Sequence, residues 1–459
     1  MPLSNSQMRD VQSVLHPYTN LMKHRDTGPM ILDHAKGIRV YDENGKDYIE
    51  AMAGLWCTAL GWGVDELADV AAAQMRKMAF AHIFGGRSHE PAIALAEKLK
   101  ELSPFPAGKV FFANSGSEAN DTQIKIMWYA ANARGKAAKK KIISRTKAYH
   151  GVTLVAASLT GLPNNHKSFD LPFDFVKFAD CPHYYRSAEA GETEAQFSAR
   201  MAANLDALIQ REGPDTIGAM IAEPVMGAGG VILPPQGYFE AITRVLNKYD
   251  IPLIDDEVIT GFGRTGEWFG CTTYGFQPDS MTMAKQLSSA YLPISAIMLS
   301  PELTDIVEQE SGKIGTFGHG FTYTGHPVAA AVALRTLELY QERDIVGHVR
   351  KVSPYFLKKL RAFNDHPLVG EANGVGLIGG VELVVDKKTK QNFDPAKQVG
   401  ATVNNFALEE GLITRPMLND RLGFCPPLVI TEADIDDMFA RFERALNKGL
   451  DWATREKLI

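Results

Sequence analysis

The residues best suited to chemistry stand at the ends of apolar runs. Ile251, Leu253 and Ile254 lead into three consecutive acids, Asp255, Asp256 and Glu257, and the glycine-rich stretch Gly261–Gly266 follows. A buried strand that ends this way at the carboxyl edge of a parallel sheet presents its acids where α/β proteins bind ligands. Strand alternation puts Asp256 on one face and Asp255 and Glu257 on the other. Spacing does not choose among them, and a solvated strand end with charged turn chemistry reads equally well. Lys285 has Met281, Met283 and Ala284 before it and Gln286-Leu287 after it. Desolvation in such a setting lowers a lysine's pKa and leaves a nucleophilic amine. Ser115 and Glu118 fit a capping box ahead of a helix that runs to about Ala133. Capping alone explains them, but the same geometry aims free N–H groups at an anion. Gly116 would let that anion approach closely, and Ser117 would add a hydroxyl donor.

The elements that must position these groups form a βαβ series. Lys109–Ala113 reads as a strand before the Ser115 helix, and Lys141–Arg145 as another, closed by the turn Tyr149-His150-Gly151. Ile217–Ala222 is a strand ending in Glu223, Gly237–Tyr249 an amphipathic helix, and Ser280–Ala284 the strand before Lys285. This order implies a parallel sheet with right-handed crossovers, so residues 113–117, 223 and 256 converge on one edge. His150 reads as structural. Nearer the amino terminus, Gly37–Asp42 and Lys46–Glu50 form two strands joined by a turn, and Asp65–Met78 has helical spacing. Asn164–Glu194 reads as an irregular surface excursion without chemistry. Beyond Pro327 the pattern changes to helices, a strand at Gly376–Val384, and helices again.

Composition narrows the class. The 459 residues are 45% apolar and 22% charged with net charge −6, an ordinary globular balance that argues against nucleic-acid binding. No stretch approaches the roughly 20 apolar residues of a membrane span. The cysteines, Cys57, Cys181, Cys271 and Cys425, are too dispersed for a zinc pattern or a disulfide framework. The expectation is a reduced, cytoplasmic protein without a metal site.

Taken together, DEVITGFGRTG with the lysine of Met281-Thr-Met-Ala-Lys285, SGSEAN, YHG, AEPV and TYTGHP resemble, in family order, the class III aminotransferases that use pyridoxal phosphate. Within that family the chain most resembles the ω-transaminases of the amine:pyruvate and β-alanine:pyruvate group. The resemblance implies an α/β, type I PLP-dependent transferase fold: an N-terminal segment (1–58) packing with the small domain, a large domain with a mostly parallel sheet (59–326), and a smaller α+β domain (327–459). It implies a Schiff base between the cofactor and Lys285, with pyridoxamine phosphate as the alternate form, and Asp256 at the pyridine nitrogen. Ser115, Gly116 and Ser117 would hold the phosphate, Tyr149 would stack on the ring, and Glu223 and Ile259 would also touch the cofactor. Thr322 would reach the phosphate bound by a second subunit. Tyr18, Leu55, Trp56, Phe84, Tyr149, Val152, Ala228 and Arg415 would line the substrate pocket, with Phe84 acting across the interface and Arg415 meeting a carboxylate. A homodimer, or dimer of dimers, with shared sites follows, as does transfer of an amino group from an amine or ω-amino acid to a keto acid such as pyruvate. A decarboxylase or aminomutase on the same scaffold, or a non-catalytic binding protein, are the rival readings.

Overall fold

The computed structural model describes residues 2–459. Its centre is a seven-stranded sheet in the spatial order Val110–Ala113, Ser295–Leu299, Ser280–Met283, Leu253–Asp256, Ile217–Ala222, Lys141–Arg145, Val176–Ala179. Only Ser295–Leu299 runs against its neighbours; the remaining pairs are parallel. Every residue of the four strands from Ser295–Leu299 to Ile217–Ala222 is buried, as strands covered on both faces must be. Alternation assigns their side chains to two cores. Met220 and Leu253 pack with helices Glu194–Glu212 and Tyr238–Lys248, whereas Ala219, Ile221 and Ile254 pack with the helix Gly116–Ala133.

A second sheet, Val369–Val375, Ile378–Leu383, Arg421–Phe424, Arg415–Met417, is antiparallel throughout and lies among the C-terminal helices. A third joins the amino-terminal strands Leu32–Lys36, Arg39–Asp42 and Asp47–Glu50 to Leu412–Ile413. That pairing brings the amino-terminal segment alongside the strand that carries Arg415. The turn between the second and third of these strands is held by Asp42 Oδ1, which accepts from the N–H groups of Asn44 and Lys46 at 2.9 and 3.0 Å. Buried Arg421 ties the C-terminal sheet to the loop after Ile217–Ala222: it pairs with Glu371 and Glu382 and donates from Nε to Gly230 O at 2.6 Å.

Two expectations need correction. Residues 164–194 are not merely a surface excursion, because Val176–Ala179 forms the edge strand of the central sheet and Tyr184–Ser187 a helical turn. The strand is only four residues long and sits among turn formers, so no periodicity announces it. The solvated strand end is also excluded: Asp255, Asp256 and Glu257 are 0%, 3% and 0% exposed.

Candidate active site

A cleft of about 570 Å3 opens at the carboxyl edge of the central sheet. Asp256, the last residue of its strand, stands on the cleft face. Its Oδ2 lies 2.8 Å from His150 Nδ1 and accepts from Asn120 Nδ2 at 2.8 Å, while Oδ1 accepts from the Val258 N–H at 3.1 Å. Facing a carboxylate, Nδ1 is the donor of the His150 ring. Asp256 is therefore clamped in one orientation by three separate elements. Asp255 and Glu257 point to the opposite face, as alternation requires. Glu257 accepts from the Cys271 N–H at 2.7 Å and from Thr260 Oγ1, but neither oxygen of Asp255 has a partner among the described residues. Burial, then the nearby Glu257 charge, push the Asp255 carboxyl well above the usual range. The structure thus separates the two aspartates: Asp256 is held by three hydrogen bonds at the cleft, and the unpartnered Asp255, its pKa raised by burial, lies behind it.

Opposite Asp256, Lys285 follows Ala284 with φ +43°, a left-handed turn that ends the strand and sends the side chain back into the cleft lining. Burial lowers its pKa, and Asp256 counteracts this through charge alone. Glu223 ends the neighbouring strand. Its carboxylate accepts from the Tyr149 N–H and from Arg145 Nη2, both at 3.0 Å, which fixes the turn carrying Tyr149.

The helix N-terminus is built differently from a full capping box. Ser115 Oγ accepts from the Glu118 N–H at 3.2 Å. The Glu118 carboxylate, however, turns one residue further back, to the Asn114 N–H at 2.8 Å and Asn114 Nδ2 at 2.9 Å. The first N–H groups of this helix are left for another acceptor, which is the condition for anion binding. Ser117 Oγ accepts from the Val152 N–H at 3.1 Å. Gly151 has φ +131°, and a Cβ there would come within 2.4 Å of Ser117 Oγ. Glycine is what allows the Tyr149 turn to lie against the helix.

Exposed Tyr18 and Leu55 and half-buried Arg415 stand at the mouth of the cleft, and Trp56, Ala228 and Ile259 line it. Burial depresses the Arg415 guanidinium, and the groups whose charge counters this are the Tyr149 and Tyr18 hydroxyls, not a carboxylate. Three residues assigned to the site lie elsewhere. Val152 is exposed and outside the cleft, and Phe84 and Thr322 are exposed and outside it too. Phe84 packs against the 317–327 loop, since a Cβ on Gly320 would meet its ring at 2.7 Å. The two residues expected to act across an interface therefore belong to one surface. Sequence reasoning missed Asn120 and His150. Asn120 lies one turn inside the Ser115 helix and His150 beside Tyr149, so each was one step from a residue already singled out.

The arrangement fits pyridoxal phosphate. A helix N-terminus with free N–H groups suits a phosphate, a buried carboxylate suits a protonated pyridine nitrogen, and a desolvated amine faces that carboxylate across the cleft. Comparison with known proteins agrees. The family described as "Aminotransferase class-III" matches residues 21–446. A chloroplastic γ-aminobutyrate transaminase 3 of Solanum lycopersicum is 48% identical over 94% of this chain and 83% of its own length. The ω-transaminase of Pseudomonas jessenii, solved in complex with PMP, superposes with a TM-score of 0.96 at 49% identity, covering 98% of this chain and 99% of that one. A thermostable ω-transaminase variant engineered for synthesis of bulky amines superposes at 0.95 with 48% identity over 98% of this chain and 100% of its own.

Proposed function

Since the chain belongs to the class-III aminotransferases, we propose that it moves an amino group from a primary amine or ω-amino acid to pyruvate, alternating between two half-reactions in one cleft. Pyridoxal phosphate, when bound, supplies the carbonyl that receives the amino group and an electron sink for the carbanion. Asp256 holds a proton at the pyridine nitrogen, and His150 and Asn120 hold Asp256. Lys285, whose pKa burial lowers, would move the proton lost from the donor's reacting carbon. The N–H groups and hydroxyls of Ser115–Ser117 would hold the phosphate, Glu223 fixes the Tyr149 turn, and Tyr149 and Ile259 would contact the ring.

The observation that carries the substrate reading is Arg415. It is a partly buried cation at the mouth of an otherwise apolar cleft, with hydroxyls and no carboxylate beside it. It can pair with an acceptor's carboxylate and turn outward for a donor that has none. The engineered ω-transaminase compared above carries substitutions at a tryptophan, a phenylalanine and an arginine with the same spacing as Trp56, Phe84 and Arg415. This supports assigning those three residues to donor selection. Because Phe84 is remote from the cleft of its own chain, it also supports a homodimer in which Phe84 and Thr322 complete the partner's site. Four free cysteines are in keeping with a cytoplasmic setting.

A panel of donors, including β-alanine, γ-aminobutyrate, a diamine and a simple aryl amine, assayed with pyruvate for alanine formation tests the reading. Alanine from carboxylate-free amines is the expected result. Amino transfer to 2-oxoglutarate only, with no alanine from any donor, would overturn pyruvate as acceptor.

A further inference from the structure

The amino-terminal arm has no core of its own. The helix Asn5–Ser13 buries none of its residues, and Leu21–Thr27 buries only His24. Of the arm's large apolar residues, Met8, Val14, Leu15, Leu21 and Met22 are exposed, and Leu3 and Val11 are only half-buried. What converges inside it is polar. Asp10 Oδ1 lies 2.8 Å from His16 Nε2 and 3.2 Å from His24 Nε2, and the three atoms are all within 4.8 Å of one another. The two imidazoles face each other with ring centroids 4.3 Å apart, tilted by 42°.

We propose that Asp10, His16 and His24 form a binding site for a divalent transition ion of the zinc class, which clips the arm into its fold. Ligands about 2.0–2.1 Å from a tetrahedral zinc ion are about 3.3 Å apart, so the two Asp10–imidazole edges of 2.8 and 3.2 Å need little adjustment. Two imidazoles and one carboxylate are a borderline donor set that suits such an ion and leaves its fourth position to water. Each ring would bind through Nε2 in its Nδ1–H tautomer. A short segment without a hydrophobic core is the kind of structure that a metal stabilises. The three ligands follow no compact spacing, which is why the sequence shows no metal motif.

The site bears on the cleft. His16 leads directly into Pro17 and Tyr18, which line the mouth, and Tyr18 accepts from Asn165 Nδ2 at 2.6 Å. Metal binding would fix the backbone on both sides of Tyr18, between His16 and His24.

The test uses tag-free holoenzyme dialysed against Zn2+, with metal counted by mass spectrometry, and Co2+ as a spectroscopic substitute. One ion per chain and the visible bands of Co2+ in a tetrahedral N/O field are expected. His16→Asn and Asp10→Asn should each weaken binding by at least about tenfold. His16 is partly exposed, so its variant leaves the buried His24 in place. Zn2+ should also slow tryptic cleavage after Lys23 and Arg25 in the wild type and have no effect in the variants. Absence of stoichiometric metal, or occupancy that both variants retain, would overturn the site and leave the cluster a hydrogen-bonded clasp.

Discussion

Asp255 and Asp256 are adjacent, chemically identical, and placed in opposite environments. Their order in a strand tells that they face apart, but it does not tell which side holds the cleft. Three donors settle that, and they come from residues 120, 150 and 258, too far apart in the chain for local spacing to reveal. Lys285 was more legible, because an amine in a run of buried apolar residues is conspicuous at any distance. Asp256→Asn removes the charge and leaves the His150 Nδ1–H without its anionic acceptor. Amino transfer should slow by about 10- to 150-fold, the worth of one charge-assisted hydrogen bond, while the cofactor stays bound. Asp255→Asn should change the rate by less than about threefold, since an amide there replaces a group that is already neutral. Steady-state kinetics on the two variants check this, and a reversed order would transfer the role to Asp255.

Among the elements, the helices and central strands were legible because their periods are long and their burial complete: Asp65–Met78 and Ile217–Ala222 have the limits that their patterns imply. Short edge strands were not, since a four-residue strand such as Val176–Ala179 carries no period. The strand of the acids also has a pH signature. The native state keeps a proton on Asp255 that the unfolded chain releases above the ordinary carboxyl range. The unfolded state therefore binds fewer protons, and stability falls as pH rises from about 4 toward the elevated native value. Asp255→Asn should accordingly raise the thermal midpoint at pH 8 and give little gain near pH 4. An equal gain at both would mean packing, not protonation, is responsible. In the C-terminal sheet, Arg421→Met leaves buried Glu382 and half-buried Glu371 without their common partner. A loss of about 3–5 kcal/mol is expected in denaturant unfolding. Arg186, which also pairs with Glu382, should keep the variant folded.

At the scale of the molecule, the fold places a cofactor-sized cleft beneath a mouth shaped by segments from the amino terminus, residues 55–56 and residue 415, and leaves Phe84 and Thr322 together on an outer surface. No residue pattern could show that a surface belongs to a partner's site; only the resemblance raised it. Mixing inactive Lys285→Ala chains with chains inactivated at both Phe84 and Thr322 should restore part of the activity, because one site in each hybrid dimer is intact. No recovery despite demonstrated subunit exchange would argue that each site is complete within one chain. The central claim, that one cleft serves a donor without a carboxylate and an acceptor with one, rests on Arg415. Stopped-flow spectra of Arg415→Ala follow the two half-reactions separately. A lost charge-assisted hydrogen bond of roughly 1.5–3 kcal/mol predicts that the half-reaction with pyruvate slows about 10- to 150-fold, whereas the half-reaction with a carboxylate-free amine is unchanged or faster. Equal losses in both would contradict the account.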